Sequence, residues 1–337
     1  TVLGQLYVTD AAGGNPRRLA DDISALLSQP SLSPDGRRIA VTSWDEPSGG
    51  HLWSVDAGSG DASRVSTSAR YIHSAAWSPD GSRIVALQAP VTARLGGGAG
   101  SLTDIVWYPA GGGEATIVAP SQGRSAPHFR TDEADRIYLF GGGAGLVSVR
   151  WDGTDPKEHV KITGFSRSSG GSPANASWIG MAPLGDHAVA RVENDLYLVT
   201  VPPVGGDAPT ISIRNPDDAS FPVTRLTEAG GEFPAWSADG RQISWALGRT
   251  LFRYDIDRAD FVADSIADAE RAAAEEQDAE EDESPEEEDD EEEPAGYEPI
   301  EVDVSVSLPR DLPAGTIVLQ GARILTMVGD EVIERGD

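Results

Sequence analysis

The sequence predicts an all-β protein whose main part is a β-propeller of four-stranded antiparallel blades. Three observations predict it. A short motif around a Ser-Pro-Asp-Gly turn recurs five times, each copy is followed by further strand-like segments, and the recurrence stops near a long acidic run. Units of this kind stack radially, because neighbouring blades bury one another's faces.

The repeat has three strong copies and two weaker ones. The strong copies are SLSPDGRRIAVTS at 31–43, AWSPDGSRIVALQ at 76–88 and AWSADGRQISWAL at 235–247. The weaker ones are HFRTDEADRIYLF at 128–140 and WIGMAPLGDHAVARV at 178–192. The steps are 45, 52, 52 and 55 residues when the copies are aligned at Ser33, Ser78, Arg130, Ala182 and Ser237. A period of this length holds four short strands and their turns.

Each copy joins its first two strands through a tight turn. Pro presets φ there, Asp can bond its own backbone, and Gly takes positive φ. We therefore interpret Asp35, Asp80 and Asp239 as turn-makers, since carboxylates on one rim of a ring cannot converge on one reacting atom. Third strands are legible as HLWSVD at 51–56, DIVWYP at 104–109, LVSVRWDG at 146–153, DLYLVTV at 195–201 and TLFRYDID at 250–257. A more polar fourth strand follows, as in ATIVA or VTRLT.

The motif AWSPDGSRI, followed by outer strands such as LYVTDAAGGNPRRL, resembles the TolB-type propeller repeat. The chain opens at two outer strands, QLYVTD and PRRLA, so we expect an incomplete ring with further residues upstream. The resemblance implies a periplasmic or extracellular location. It also implies binding of a small molecule or peptide near the mouth of the central channel.

The repeat period is lost after residue 259. The sequence then predicts three segments: the TolB-like propeller at 1–259, a helix and acidic linker at 260–298, and the first strands of a β-sandwich at 299–337. Ala and Glu favour a helix at 260–276. Residues 275–293 contain 15 acidic residues in 19, so we expect 277–298 to be a disordered, self-repelling linker rather than a calcium site.

Charge and composition exclude several kinds of partner. The chain of 337 residues has 55 Asp plus Glu against 26 Lys plus Arg, a formal net charge of −29. This argues against nucleic acid and anionic membranes as partners. No apolar run approaches the roughly 20 residues of a transmembrane helix. Cys is absent, which excludes disulfides, thiolate metal sites and Cys nucleophiles.

Candidate chemical residues are sparse. The five histidines are separated by more than four residues, so no close metal-binding pair exists. His73 and His128 are placed at or near innermost strands, and we consider them possible binding residues at the channel mouth. The glycine runs continue into no phosphate-binding motif, and GFSRS at 164–168 lacks the last Gly of a hydrolase G-x-S-x-G elbow. The tryptophans recur on strands, where we expect most of them to pack between blades.

The final stretch, GTIVLQGARILTMVGDEVIERGD at 315–337, predicts a β-hairpin. Its sequence resembles the N-terminal segment of amidohydrolase-superfamily enzymes, in which a small β-sandwich precedes a (β/α)₈ barrel. The resemblance implies a parent enzyme that hydrolyses non-peptide C–N bonds with a divalent metal such as zinc, held in a downstream barrel. No catalytic, cofactor-binding or metal-binding residue is matched in this chain, which we therefore expect to be inactive alone. The propeller would bind substrate or dock against that downstream domain.

Two alternatives stay open. The chain could be a stand-alone TolB-like binding propeller without enzymatic activity, with its last forty or so residues serving as a tail. A propeller attached to a peptidase would require a G-x-S-x-G domain downstream instead.

Overall fold

The structure, a computed structural model, describes residues 1–95, 102–165, 172–203, 205–215, 219–279, 296–307, 315 and 318–337. It contains two compact units, Thr1–Ser305 and Val306–Asp337. The first unit holds five four-stranded antiparallel blades, which confirms the predicted fold class.

The strands of each blade pair in chain order, each antiparallel to the next. A two-stranded sheet, β1 (Leu6–Val8) and β2 (Arg17–Leu19), precedes the blades. The first blade contains β3 (Leu26–Leu32), β4 (Arg38–Asp45), β5 (Gly49–Asp56) and β6 (Ala62–Arg64). The second contains β7 (Tyr71–Trp77), β8 (Arg83–Ala89), β9 (Asp104–Pro109) and β10 (Thr116–Pro120), with a short helix α1 (Val91–Leu95) after β8.

The third and fourth blades share an extra strand. The third contains β11 (Ser125–His128), β12 (Arg136–Phe140), β13 (Leu146–Arg150) and β14 (Lys157–Thr163), with a 3₁₀ turn at Gly142–Ala144. The fourth contains β15 (Trp178–Met181), β16 (His187–Val192), β17 (Asp195–Thr200) and, after β18 (Thr210–Ser212), β19 (Val223–Arg225). Strand β18 leaves its own blade and pairs in parallel with β14, which ties the two blades together.

The fifth blade contains β20 (Glu232–Trp236), β21 (Gln242–Leu247), β22 (Thr250–Asp255) and β23 (Ile300–Asp303). Between β22 and β23 the chain forms the long helix α2 (Ile256–Ala279), which confirms the predicted helix. The sequence analysis had grouped residues 299–337 as one segment beyond a linker. The structure corrects that boundary, because Ile300–Asp303 pairs with β22 as the outer strand of the fifth blade. The acidic run is thus an insertion within a blade; residues 280–295, predicted to be disordered, lie outside the described residues.

The repeated aspartates do make the turns. Ser33 Oγ donates a hydrogen bond to Asp35 Oδ1 at 2.6 Å, and the backbone N–H of Arg38 donates to Ser33 Oγ at 2.9 Å. The same pair of bonds recurs at Ser78 with Asp80 and at Ser237 with Asp239. Each turn is thus closed by its own side chains, which confirms the structural interpretation of these carboxylates.

The core lies between the faces of neighbouring blades. For example, Ala40 and Leu52 of the first blade pack with Trp77 and Ile84 of the second. Large aliphatic and aromatic residues on alternate strand positions fill these interfaces, as the period of two requires. Trp77 and Trp236 confirm the predicted packing role of tryptophans.

The second unit contains β24 (Ala322–Leu325) and β25 (Val332–Gly336), paired as an antiparallel hairpin. This confirms the predicted hairpin, while its membership of a larger sandwich stays a prediction. Leu325, Met327 and Val328 are exposed. Among the helices that the structure describes, none is long and apolar enough to cross a membrane.

Candidate functional site

His128 is half-buried between the third and fourth blades. Its Nδ1 donates to the carbonyl oxygen of Ala126 at 2.8 Å, and its Nε2 accepts from the backbone N–H of Met181 at 2.9 Å. Burial lowers the pKa of His128 to about 4, so the ring is neutral at physiological pH. Both ring nitrogens are engaged within the protein, and the geometry gives His128 a role in joining two blades.

His73 lies near the start of β7, where the inner strands begin and the channel opens. Its ring is half-buried and packs on Tyr71 with a centroid separation of 5.0 Å. Its Nδ1 lies 3.2 Å from Ser74 Oγ. Burial, and then the nearby charge of Arg94, lower the pKa of His73, which keeps this imidazole neutral as well. Unlike His128, His73 belongs to a cluster of half-buried rings that reaches the surface at the exposed Arg94.

This cluster of aromatic rings and a cation lies at the end of the first two blades where their inner strands, β3 and β7, begin. The guanidinium carbon of Arg94 lies 5.0 Å from the ring centre of Trp44 and 4.9 Å from that of Tyr71. The two rings meet edge to face with centroids 5.7 Å apart, and Arg94 Nη1 donates to Tyr71 Oη at 3.3 Å. We call Trp44, Tyr71, His73 and Arg94 the mouth cluster. A guanidinium held over two aromatic faces gains cation–π stabilisation while its outer edge stays free for a ligand.

Helix α1 brings Arg94 to this position. It leaves the second blade after β8, and the side chain of Val91 packs against Gly49 in the hairpin of the first blade. A Cβ at Gly49 would lie 2.9 Å from Val91 Cγ2, and Gly49 has a φ of +79°. Glycine at this position therefore permits the close approach that places Arg94 over Trp44 of the first blade and Tyr71 of the second.

An open pocket of about 740 Å³ adjoins the mouth cluster. It combines an exposed leucine, an aromatic wall, an arginine and two carboxylates. Its lining residues are Ser24, Ala25, Leu26, Trp44, Asp45, Glu46, Pro47 and Arg94. Apolar area beside charges of both signs suits an extended ligand better than a single small anion.

The inner strands of four blades contain a β-bulge that was not predicted from the sequence. Ser74 interrupts the β7–β8 ladder with a φ of +55°, and its backbone N–H donates to Gln29 Oε1 of the first blade at 2.7 Å. The equivalent residues of three other blades have the same left-handed backbone beside a register shift: Gln29 (+52°), Ala126 (+52°) and Phe233 (+54°). A proline follows each of these three, at positions 30, 127 and 234. Proline has no backbone N–H to donate to a β-ladder. A residue followed by proline in an inner strand is therefore a sequence signal for a β-bulge.

A second pocket, of about 1070 Å³, lies between the third and fourth blades. Several of its polar groups are engaged in ion pairs or hydrogen bonds within the protein. Lys161 Nζ lies 3.0 Å from Glu158 Oε2, Arg130 makes a 2.6 Å ion pair with Asp132, and Tyr138 Oη donates to Glu133 Oε2 at 2.5 Å.

His159, which also lines this second pocket, is held by a short chain of hydrogen bonds. Arg136 Nε donates to Ser148 Oγ at 2.8 Å, and Ser148 Oγ lies 2.7 Å from His159 Nε2. Burial lowers the pKa of His159 to about 4, so the imidazole that contacts the Ser148 hydroxyl is neutral at physiological pH. These groups serve the fold, so the mouth cluster is the stronger candidate site.

The arrangement of blades matches that of a known protein. The crystal structure of TolB from Acinetobacter baumannii superposes with a TM-score of 0.51 at 14% sequence identity, over 75% of this chain and 57% of that chain. The propeller has a TolB-like fold. The chain spans little more than half the length of that TolB.

Further solved structures are similar to the TolB-like propeller at lower scores. A putative TolB from Agrobacterium tumefaciens has a TM-score of 0.46 and 16% identity, over 72% of this chain and 75% of that chain. A structure from a study of two prolyl endopeptidases has a TM-score of 0.44 and 13% identity, over 75% of this chain and 37% of that chain. No protein-family model and no curated protein matches the sequence. Within the described ranges of the TolB-like propeller, no three His, Asp or Glu side chains form a metal-binding group.

Proposed function

We propose that the TolB-like propeller is a binding module that takes a peptide segment at the mouth cluster. The observation that carries this proposal is the position of Arg94, exposed at the channel mouth between the rings of Trp44 and Tyr71. Trp, Tyr and Arg are the residue types that dominate binding energy at protein interfaces. Here Trp44 and Arg94 line one pocket, and Tyr71 contacts both of them from behind.

A peptide fits this surface better than a compact small molecule. Leu26 offers exposed apolar area, Asp45 and Glu46 offer hydrogen-bond acceptors, and Arg94 can pair with a carboxylate or a carbonyl oxygen. The bulges at Gln29 and Ser74 lie at the adjoining inner strands, where they interrupt the backbone ladder. A ligand with alternating apolar and polar groups can use all of these features at once.

The experiment is a selection from a displayed library of random short peptides against purified 1–337, followed by affinity measurements. We expect selected peptides to bind Arg94→Ala and Trp44→Ala at least about tenfold more weakly, which corresponds to about 1.4 kcal/mol. The matched control is Arg241→Ala, which removes an exposed arginine that pairs with Asp257 in the fifth blade. Peptides that bind all variants equally would refute the assignment.

We also propose that this binding module belongs to a larger metal-dependent hydrolase acting on non-peptide C–N bonds. Support comes from the second unit, whose hairpin β24–β25 carries the segment that resembles the opening of amidohydrolases. Its exposed apolar residues, such as Leu325 and Met327, suit a hairpin that packs in a larger sandwich. The propeller would then present substrate to, or dock against, a barrel that holds zinc or a similar ion.

The test compares purified 1–337 with the complete product of the gene on a panel of linear and cyclic amides with Zn²⁺ or Mn²⁺. We expect turnover only from a longer product that contains an H-x-H barrel. A gene that stops at Asp337 would favour the stand-alone binding propeller. Metal-dependent turnover by 1–337 alone would contradict both proposals, because it would place the catalytic residues within this chain. The TolB resemblance further supports a periplasmic or extracellular location, which fractionation of the native host would test.

A further inference from the structure

The sheet of β1 and β2 has the form of the outer half of a blade. Its sequence, QLYVTDAAGGNPRRLA, parallels the outer strands HLWSVDAGSGDASRVS of the first blade. The turns match as well, because Asp10 Oδ1 accepts from the backbone of Ala12 and Gly14, as Asp56 Oδ1 does in its own turn. In the first blade the strand equivalent to β1 is β5, which also pairs with β4 on its inner edge. Strand β1 pairs with β2 alone among the described strands.

This half-blade lies between the fifth blade and the first. On one side the backbone N–H of Leu27 donates to Gly4 O at 2.7 Å, and Arg17 Nη2 donates to Ala57 O at 2.9 Å. On the other side its turn packs so closely on β23 that a Cβ at Gly13 would lie 2.5 Å from Asp303 O. The half-blade therefore occupies the outer part of a sixth blade position.

Next to the inner part of that position, the face of the first blade is exposed. In the second, third and fourth blades, the residue before the repeat anchor is buried against the preceding inner strand; these residues are Trp77 at 7%, Phe129 at 9% and Met181 at 6% exposure. The equivalent residue of the first blade is Leu32, and it is 61% exposed. Leu32 has no inner strand before it to cover it.

The facing side of the fifth blade is exposed in the same way. Ser244 and Ala246 of β21 are half-buried, whereas their counterparts in the first two blades are almost completely buried, namely Ala40, Thr42, Val85 and Leu87. Arg253 lies opposite Ser244 on the same face of the sheet, and its Nε is buried without a hydrogen-bond partner. Together with the inner edge of β1, these faces bound a space that we call the inner gap.

Hydrogen bonds between neighbouring blades indicate which kind of strand would fit the inner gap. Trp77 Nε1 donates to Ser31 O at 3.1 Å, and Trp236 Nε1 donates to Gly180 O at 3.0 Å. In each case the acceptor lies two positions before the anchor of the preceding blade. The equivalent carbonyl of the fifth blade belongs to Ala235, so a strand in the inner gap that ends in Trp would have its acceptor in place.

We propose that the inner gap is a docking site for a two-stranded β-hairpin of the propeller-repeat type. Its first strand ends in Trp and contacts Ala235, its second strand pairs with the inner edge of β1, and its aliphatic side chains cover Leu32. The ligand needs two strands because the first blade has two strands, β3 and β4, on the inner side of β5. Backbone pairing with an exposed strand edge supplies affinity, and the flanking apolar faces supply specificity.

Other occupants fit less well. The hairpin β24–β25 lacks a Trp and lacks the Ser-x-Asp-Gly turn, and it carries the ion pair of Arg323 with Glu334. A second copy of the chain would have to insert strands that are already paired within its own blades. These occupants are tested as competing outcomes below.

The experiment uses the chain's own second-blade hairpin, residues 70–90, as the probe. Added to 1–337, the peptide is expected to raise the unfolding midpoint in a saturable way and to slow hydrogen exchange of Leu6–Val8. A peptide with Trp77→Ala is expected to bind at least about tenfold more weakly. A second arm fuses each hairpin to the start of 1–337 through a Gly/Ser linker, which raises the effective concentration of a hairpin that is only marginally stable alone.

The host variant Leu32→Ser is expected to weaken the response, because it removes the exposed apolar contact. The matched control is Leu102→Ser, at a leucine before β9 of the second blade with a similar exposure of 55%. The proposal is overturned if neither the free nor the fused hairpin stabilises the protein, or if a peptide of residues 322–336 works equally well. It is also overturned if 1–337 forms a dimer that Leu32→Ser dissociates, since a second copy would then fill the gap.

Discussion

Trp77 in the second blade donates its indole hydrogen to the backbone carbonyl of Ser31 in the first blade, at 3.1 Å. Trp236 makes the equivalent bond to Gly180, between the fifth and fourth blades, at 3.0 Å. Donor and acceptor occupy fixed positions in the repeat, so the same bond recurs where the sequence retains Trp. Where the third blade has Phe129 instead, the neighbouring interface uses His128 and Met181. Directional bonds thus supplement apolar packing between blades.

Replacing Trp77 by Phe should destabilise the protein by about 1–2 kcal/mol, because the ring packing is largely kept while the carbonyl of Ser31 loses its donor. Urea unfolding followed by circular dichroism measures this change. The matched variant Trp44→Phe removes a half-buried indole without such a bond, and should change stability by less than about 0.5 kcal/mol. Equal effects of the two substitutions would contradict the role given to the bond.

The position of β23 predicts an unequal effect of two truncations. A chain ending at residue 305 should be as stable as 1–337, because the first unit ends there. A chain ending at residue 279 loses β23 and Tyr297, which packs on Tyr254 with a centroid separation of 5.2 Å. We expect it to be less stable by at least about 3 kcal/mol, from lost burial and lost ladder bonds. Equal melting temperatures would instead support a propeller that ends before the acidic run.

The turn carboxylates predict a specific loss of stability in acid. Hydrogen bonds from Ser78 and Ser82 lower the pKa of Asp80 from 3.8 to about 2. The unfolded chain therefore binds the proton first, and the contribution of this carboxylate is present above pH 4 and lost as the pH falls towards 2. Asp80→Asn should be less stable than wild type at pH 7, by under about 1 kcal/mol because the turn is solvated. The difference should vanish near pH 2, and a constant difference in urea midpoints across this range would contradict the linkage.

His128 predicts a second pH effect at higher pH. Burial lowers its pKa from 6.5 to about 4, so between these values the unfolded state binds a proton that the folded state does not. Stability should therefore fall as the pH drops from about 6.5 to about 4. His128→Gln should reduce this slope without abolishing it, since burial also lowers the pKa of His159, to about 4, and lowers the pKa values of His73 and His51. An unchanged slope in urea unfolding would show that His128 is not buried as a neutral ring.

The repeat was predictable because its turn chemistry is local. Ser33 and Asp35 close a turn within a few residues, and the two strands that follow alternate with a period of two. The place of Ile300–Asp303 was not predictable in this way. A four-residue strand at the edge of a blade carries little pattern, and helix α2 with the acidic run separates it from its partner β22. Only the tertiary pairing assigns it to the fifth blade.

The candidate site was predictable in part. His73 was named from its place near an inner strand, and its ring packs on Tyr71 in the mouth cluster, while its role in binding stays a prediction. Arg94 was not identified, because it lies on a short helix between strands and meets Trp44 only through the packing of two blades. The bulges could have been recognised from the prolines that follow Gln29, Ala126 and Phe233. His128 has the same sequence context as a mouth residue, and only its two hydrogen bonds identify it as structural.

Hydrogen–deuterium exchange of 1–337 with and without a library-selected peptide locates the bound peptide, and so tests whether it binds at the mouth cluster. If the mouth cluster is the binding site, protection will appear at the start of β3, at the start of β7 and in α1. Protection confined to β14 and the loop after β17, around the second pocket between the third and fourth blades, would contradict it.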